Sequence, residues 1–205
     1  MKYTDYTTCQ ALSDMMSPDT PDGWLYVGDE NTRYLLGEPK SENILIFGIN
    51  PSTATPLSPD PTIKKVKAIC ANQVGDYGWI MANLCPIRAT KPEELPKTYN
   101  KLLSANNSHI LMHLLKAYSV EKIWAAWGDI IEIRDYLVEE LSRINKALEE
   151  NREYNEILWY HTGTLTKRGN PRHPLYLPKD SEYEPFYLLD YLCEFEGLMD
   201  DYGLL

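Results

Sequence analysis

Four short runs of uninterrupted apolar residues, each followed by a helix-like segment, constrain this chain more than any other feature. They are "NILIFGIN" (43–50), "WIMANL" (79–84), "KIWAAWG" (122–128) and "EILWYH" (156–161). Runs that are apolar at every position, and not at every second one, predict strands covered on both faces, as in a parallel sheet. The segments between them carry the helical period. "PTIKKVKAICANQV" begins behind Asp60 as N-cap, with Pro61 at the first position. Residues 100–118 gather Leu103, Ile110, Leu111, Leu114, Leu115 and Tyr118 on one face, and 130–150 align Ile133, Leu137, Leu141, Ile144 and Leu148. "PFYLLDYLCEF" predicts a closing amphipathic helix. The expected fold is α/β, a three-layer α/β/α sandwich around a four-stranded parallel sheet.

At 205 residues the chain reads as a single domain, 1–205. A loose N-terminal arm is expected over 1–23, a hairpin over 24–39, the core over 40–178 and a C-terminal helix over 180–205. The formal charge of -10 opposes a broad nucleic-acid-coating face and leaves room only for a local basic patch. Cys9, Cys70, Cys85 and Cys193 are scattered without a C-x-x-C pair, so neither a zinc site nor a disulfide framework is suggested. They read as reduced thiols in a cytoplasmic protein. No run reaches membrane-spanning length, so no membrane partner is expected. His109 and His113 lie one helical turn apart without an evident third ligand and read as a solvated helix face. No metal or cofactor is implied.

In an open parallel sheet the ligand crevice lies beyond the carboxyl ends of the strands. The segments that follow the strands contain Asn50, Ser52, Asp60, Asn83, Arg88, Trp127, His161, Arg168, Arg172 and His173. Several have plain alternatives. Asn50 before Pro51 makes a turn, Asn83 caps a loop, and Trp127-Gly128 reads as packing plus a tight turn. His173, between Arg172 and Pro174, has no core role to perform. Its loop holds Lys167, Arg168, Arg172 and Lys179 beside Leu175 and Tyr176, which suits either a phosphate or carboxylate next to a base, or simple solubility.

Taken in order, "GINPS" (48–52), "IMANLCPIRAT" (80–90), "AAWGD" (125–129) and "GNPRHPLYLP" (169–178) resemble a bacterial and phage family, domain of unknown function 1643. A more distant resemblance is to the uracil-DNA glycosylase superfamily. It implies an α/β/α sandwich, with Asn50 placing an attacking water and His173 assisting the departing base. It also implies Asn83 as the reader of a base edge. Ser52, Asp60 and Trp127 join it as substrate-binding residues on the crevice wall, with Arg88 and Arg172 holding phosphates. Here Leu175-Tyr176 replaces the usual Ser-Pro after the His-Pro pair. An asparagine stands where the strongest members have aspartate, and Trp79, Tyr77 and Phe47 are candidates for the base-stacking aromatic.

The function implied is a glycosylase-type hydrolase cleaving the N-glycosidic bond of a base, modified or not, in DNA or in a nucleotide. The alternative is a non-catalytic nucleotide- or base-binding module of phage or host defence using the same crevice. Either way the partner is a nucleobase-containing substrate. Phosphoesterase or nucleotidyl-transfer chemistry is disfavoured by the lack of a clustered Asp/Glu set.

Overall fold

The computed structural model of the chain describes residues 2–195 apart from 74, 152, 153 and 155. Its strands are β1 (Leu25–Gly28), β2 (Arg33–Glu38), β3 (Asn43–Gly48), β4 (Gly78–Asn83), β5 (Val120–Ala125), β6 (Leu158–Thr162) and β7 (Tyr183–Pro185). Its helices are α1 (Pro61–Ala71), α2 (Lys101–Ala117), α3 (Asp135–Glu149) and α4 (Leu188–Cys193). The strands form one sheet in the order β1-β2-β4-β3-β5-β6-β7.

The four apolar runs supply β3 to β6, and these pair in parallel: β3 with β4, β3 with β5, and β5 with β6. The sheet is nevertheless a mixed one of seven strands, not the four-stranded parallel sheet expected. Both ends are extended by antiparallel strands, which pair the outer edges of β4 and β6 and leave the short strands β1 and β7 as the open edges. On one side β2 pairs with β4, setting Leu36 opposite Met81, and β1 completes the hairpin. On the other, β7 pairs with β6 and sets Pro185 opposite Tyr160. A proline, which has no N–H to donate, is tolerated on such an edge.

Alternate strand residues feed two apolar layers. Ile44, Ile46, Trp79, Met81 and Trp124 pack with Ile63, Val66 and Ile69 of α1. Leu45, Phe47, Ile80, Ile123 and Ala125 join the opposite layer, which holds Leu103, Ile110 and Leu114 of α2 and Leu137, Leu141 and Ile144 of α3. Burying each such aliphatic side chain contributes roughly 1.5–3 kcal/mol, which explains the continuous apolar strands: neither face of the sheet is wet.

Three elements depart from the sequence reading. The segment expected as a loose arm is tied down: Tyr6, Leu12 and Met15 are buried, and the Tyr6 N–H donates to Asn106 Oδ1 of α2 at 3.0 Å. The helix expected over 130–150 begins at Asp135, after a 3-10 turn over Gly128–Ile133. The expected C-terminal helix is preceded by β7, and its residues 196–205 lie outside the described residues. Among the described residues no helix is long and apolar enough to cross a membrane.

Candidate functional site

Beyond the end of β3 the chain turns out of the sheet and opens a cleft of about 440 Å³. Its walls include Arg33, Asn50, Ser52, Asp60, His173 and Tyr176. The exit of β3 is rigid. Leu84 N–H donates to Gly48 O at 3.0 Å, Cys85 N–H to Ile49 O at 2.7 Å and Ala89 N–H to Pro51 O at 2.9 Å, so the segment after β4 continues the pairing past both strand ends. Asn50 sits in that frame. Its Nδ2 donates to Pro51 O at 3.0 Å and to Ala89 O at 2.9 Å. Both amide hydrogens are thereby committed, the orientation of the amide is set by the two carbonyls, and Oδ1 is left as the acceptor.

The opposite wall is brought in from the end of β5. The Gly128 N–H donates to Pro171 O at 2.8 Å. Gly128 has φ +66°, and a Cβ there would meet the His173 Cβ at 3.3 Å, so the approach needs glycine. Behind it a polar chain fixes the loop. Trp127 Nε1 donates to the Tyr191 hydroxyl at 3.3 Å, and that hydroxyl donates to Asn170 Oδ1 at 2.6 Å. Asn170 Nδ2 donates in turn to Asp129 Oδ1 at 2.9 Å and to Glu132 Oε1 at 2.6 Å. The Thr166 hydroxyl also donates to Asp129 Oδ1, at 2.5 Å, and this bond leads the effects that hold the Asp129 carboxyl below its usual range.

His173 caps the 3-10 turn Pro174–Tyr176, its Nδ1 accepting from the Leu175 N–H at a long 3.4 Å. Burial lowers its pKa, outweighing the opposing pull of the Asp60 carboxylate. The imidazole is thus neutral at pH 7, and with Nδ1 accepting, the ring proton sits on Nε2 as a donor. Asp60 is committed as the cap of α1, its Oδ1 accepting from the Ile63 N–H at 2.9 Å.

Of the residues picked from the sequence, the cleft brings together Asn50, Ser52, Asp60 and His173. The others lie elsewhere. Asn83 is buried, with neither side-chain polar atom partnered, beside a separate cavity of about 10 Å³ lined also by Tyr34 and Phe47. Trp127 is wholly buried and touches no cleft surface; it is a brace. Arg88 is spent on structure, donating to Asp29 O at 3.2 Å, Ser52 O at 2.6 Å and the Tyr26 hydroxyl at 2.5 Å. Arg172 is turned back onto Thr164 O at 2.7 Å. A long polar side chain near a strand end satisfies the nearest carbonyls first, and these do. Arg168 pairs with Glu132, and His161 is buried against Phe186.

None of the three aromatic candidates for stacking faces the cleft. Phe47 stacks on Trp159 at 5.5 Å, Trp79 is bonded to Glu38 and Tyr77 lies beneath Lys122. The exposed aromatic on the rim is Tyr176, 6.0 Å from the His173 ring. The sequence reading also missed Arg33, which lines the cleft floor from β2. The only available signal was a charged residue at the head of an otherwise apolar run, "RYLLG".

Among the described residues no group of three or more His, Cys, Asp or Glu is placed to hold a metal ion. No curated protein and no solved structure matches the chain. The model of the DUF1643 family, described as proteins of unknown function, matches residues 33–175 and so spans the cleft from Arg33 through His173; the chain belongs to that family.

Proposed function

We propose that the cleft hydrolyses the N-glycosidic bond of a nucleobase-containing substrate, with a uracil-DNA-glycosylase-like architecture in which β4, β3, β5 and β6 form the central sheet. The observation that carries the reading is the orientation of Asn50: with Nδ2 held by Pro51 O and Ala89 O, its Oδ1 is available to accept from a water in the cleft that also holds His173. In the reaction a water oxygen bonds to the sugar C1′, and the C1′–N bond breaks with its electron pair leaving on the base. The water's proton ends on the base or in solvent. Positive charge develops on the sugar and negative charge on the base, so a donor aimed at the base lowers the barrier. The Nε2–H of neutral His173 is that donor. Asn50 orients the water and does not deprotonate it.

One observation favours the second reading, a base- or nucleotide-binding module without turnover. Asn50 is not a base, and Asp60, the carboxylate of the cleft, has Oδ1 engaged with α1. The two readings separate on incubation with free nucleotides and with oligonucleotides carrying uracil, hypermodified pyrimidines or mismatches. Released base, or alkali-labile sites, establishes hydrolysis, and Asn50→Ala and His173→Ala should each abolish it with the fold intact. Full activity in either variant removes that residue from the mechanism. A nucleotide that raises Tm with no base released from any substrate establishes the binding module.

A further inference from the structure

Arg33 is 3% exposed, yet among the described residues it forms no ion pair. Its Nη1 donates to Ala54 O at 3.2 Å, and its buried Nε has no partner. The guanidinium is also crowded by a like charge, because Arg88 Nη1 reaches the same Ala54 carbonyl at 3.4 Å. Desolvation, followed by the Arg88 charge, lowers the Arg33 pKa to about 10, which leaves it cationic at neutral pH. Asp60 pulls in the other direction without making an ion pair. A buried cation without a counter-ion costs stability, and a bound anion offsets that cost.

The surroundings of Arg33 specify the ligand. The side chain forms part of the cleft wall, as do Ser52, Thr53 and Thr62; the N-terminal end of α1 there is already capped by the Asp60 carboxylate, so Arg33 is the group left to meet an anion. A guanidinium sharing one cleft with three hydroxyl-bearing residues suits a tetrahedral group with several acceptor oxygens. At about 440 Å³ the cleft has the size of a small-ligand pocket. Asp29, Glu30 and Glu94 line the open depression beyond Ser52 and Thr53 against one cation, Arg88, and the whole chain carries -10. That field repels an extended polyphosphate strand, whose binding draws on several cationic contacts.

We propose that the cleft takes a nucleoside monophosphate, with Arg33 and the hydroxyls of Ser52, Thr53 and Thr62 holding the phosphate while the base lies toward Asn50 and His173. This rests on the nucleobase reading above. Arg33 selects the substrate and takes no part in breaking the bond.

The test is calorimetric titration of the purified full chain with five 2′-deoxynucleoside 5′-monophosphates (A, C, G, T and U), the matching nucleosides, inorganic phosphate and a single-stranded oligonucleotide. Wild type, Arg33→Lys and Arg33→Gln are compared. The expected result is one monophosphate bound about 30-fold tighter than its nucleoside. That preference should shrink in Arg33→Lys and vanish in Arg33→Gln, with nucleoside affinity unchanged. If Arg33→Gln does not fold, the preference measured in Arg33→Lys tests the assignment: an undiminished preference there overturns it. A nucleoside bound as tightly as its monophosphate, or a preference that survives Arg33→Gln, overturns the assignment of Arg33 and leaves the nucleobase reading standing. Arg33-dependent binding of inorganic phosphate with no nucleoside or nucleotide bound overturns the nucleobase reading and the nucleotide proposal together. An oligonucleotide bound more tightly than any monophosphate, with a steep salt dependence, overturns the monomeric substrate.

Discussion

The backbone N–H of Gly128 donates to the carbonyl of Pro171 at 2.8 Å, and this bond joins the end of β5 to the loop that carries His173. The two walls of the cleft are thus built by different means. Asn50 is positioned by main-chain carbonyls, as the segment after β4 extends its pairing with the exit of β3 and Asn50 Nδ2 donates to Pro51 O and Ala89 O. His173 is positioned by a side-chain network behind its loop, through Asn170, Asp129 and Tyr191, together with the Gly128 bond.

Replacing Gly128 by Ala places a Cβ at φ +66° and 3.3 Å from the His173 Cβ. The left-handed conformation alone costs about 1–2 kcal/mol for an L-residue. Turnover or ligand affinity should fall further than stability does, since His173 must also move. Chemical denaturation and titration on one preparation measure both.

Tyr191→Phe removes a hydroxyl that accepts from Trp127 Nε1 and donates to Asn170 Oδ1. Leaving those buried groups unpartnered should cost about 1–3 kcal/mol. Amide hydrogen exchange should quicken at Thr166 and Asn170, whose positions depend on the network, while α1 and α2 remain protected.

Asn50→Asp tests why this chain has an amide at that position. A carboxylate oxygen facing Pro51 O and Ala89 O has no hydrogen to donate, so we expect a loss of about 1–3 kcal/mol at neutral pH. The folded state raises the pKa of the new carboxyl, so stability returns as pH falls and the protonated acid donates again. A urea midpoint series from pH 7 to about pH 4 follows the recovery.

Arg33→Met exchanges an unpaired buried cation for an apolar side chain of similar length, and Ala54 O keeps its contact with Arg88 Nη1. We expect a gain of about 1 kcal/mol, or about 2–4 °C in Tm, with anion binding lost. A clear fall in Tm means that Arg33 serves the fold.

Burial lowers the pKa of His173 below its ordinary 6.5, so the folded state resists protonation there. The stability it contributes is complete above pH 6.5 and declines as pH falls toward the folded-state value, where the unfolded chain holds more protons. His113 is also shifted down, by desolvation first. Subtracting the Tm profile of His173→Gln from that of wild type over this range isolates the His173 share.

Much of the fold was legible because its signals are local. Each of the four apolar runs overlaps one of the strands β3 to β6, with ends that differ by up to three residues, and Asp60 caps α1 ahead of Pro61 as read. Strand β7 was not legible. Its three residues carry no usable period, and it exists because the edge of β6 accepts it. The break before α3 escaped for a related reason: Ile130, Ile131 and Ile133 continue the apolar pattern through a 3-10 turn.

The sequence by itself determined the alternation of strand and helix, the burial of the central strands on both faces, and which loops leave the strand ends, because hydrophobic period and capping act within a few residues of one another. The tertiary structure decided which strand-end side chains share a cleft. Arg88, Arg172 and Asn83 have the right chemistry and the right neighbourhood in sequence, but two are spent on backbone carbonyls and the third is buried elsewhere. Arg33 enters from a hairpin on the far side of β4, brought there by an antiparallel pairing that no local pattern encodes. A side chain's availability depends on what else reaches the same hydrogen-bonding groups, and that is settled only when distant segments meet.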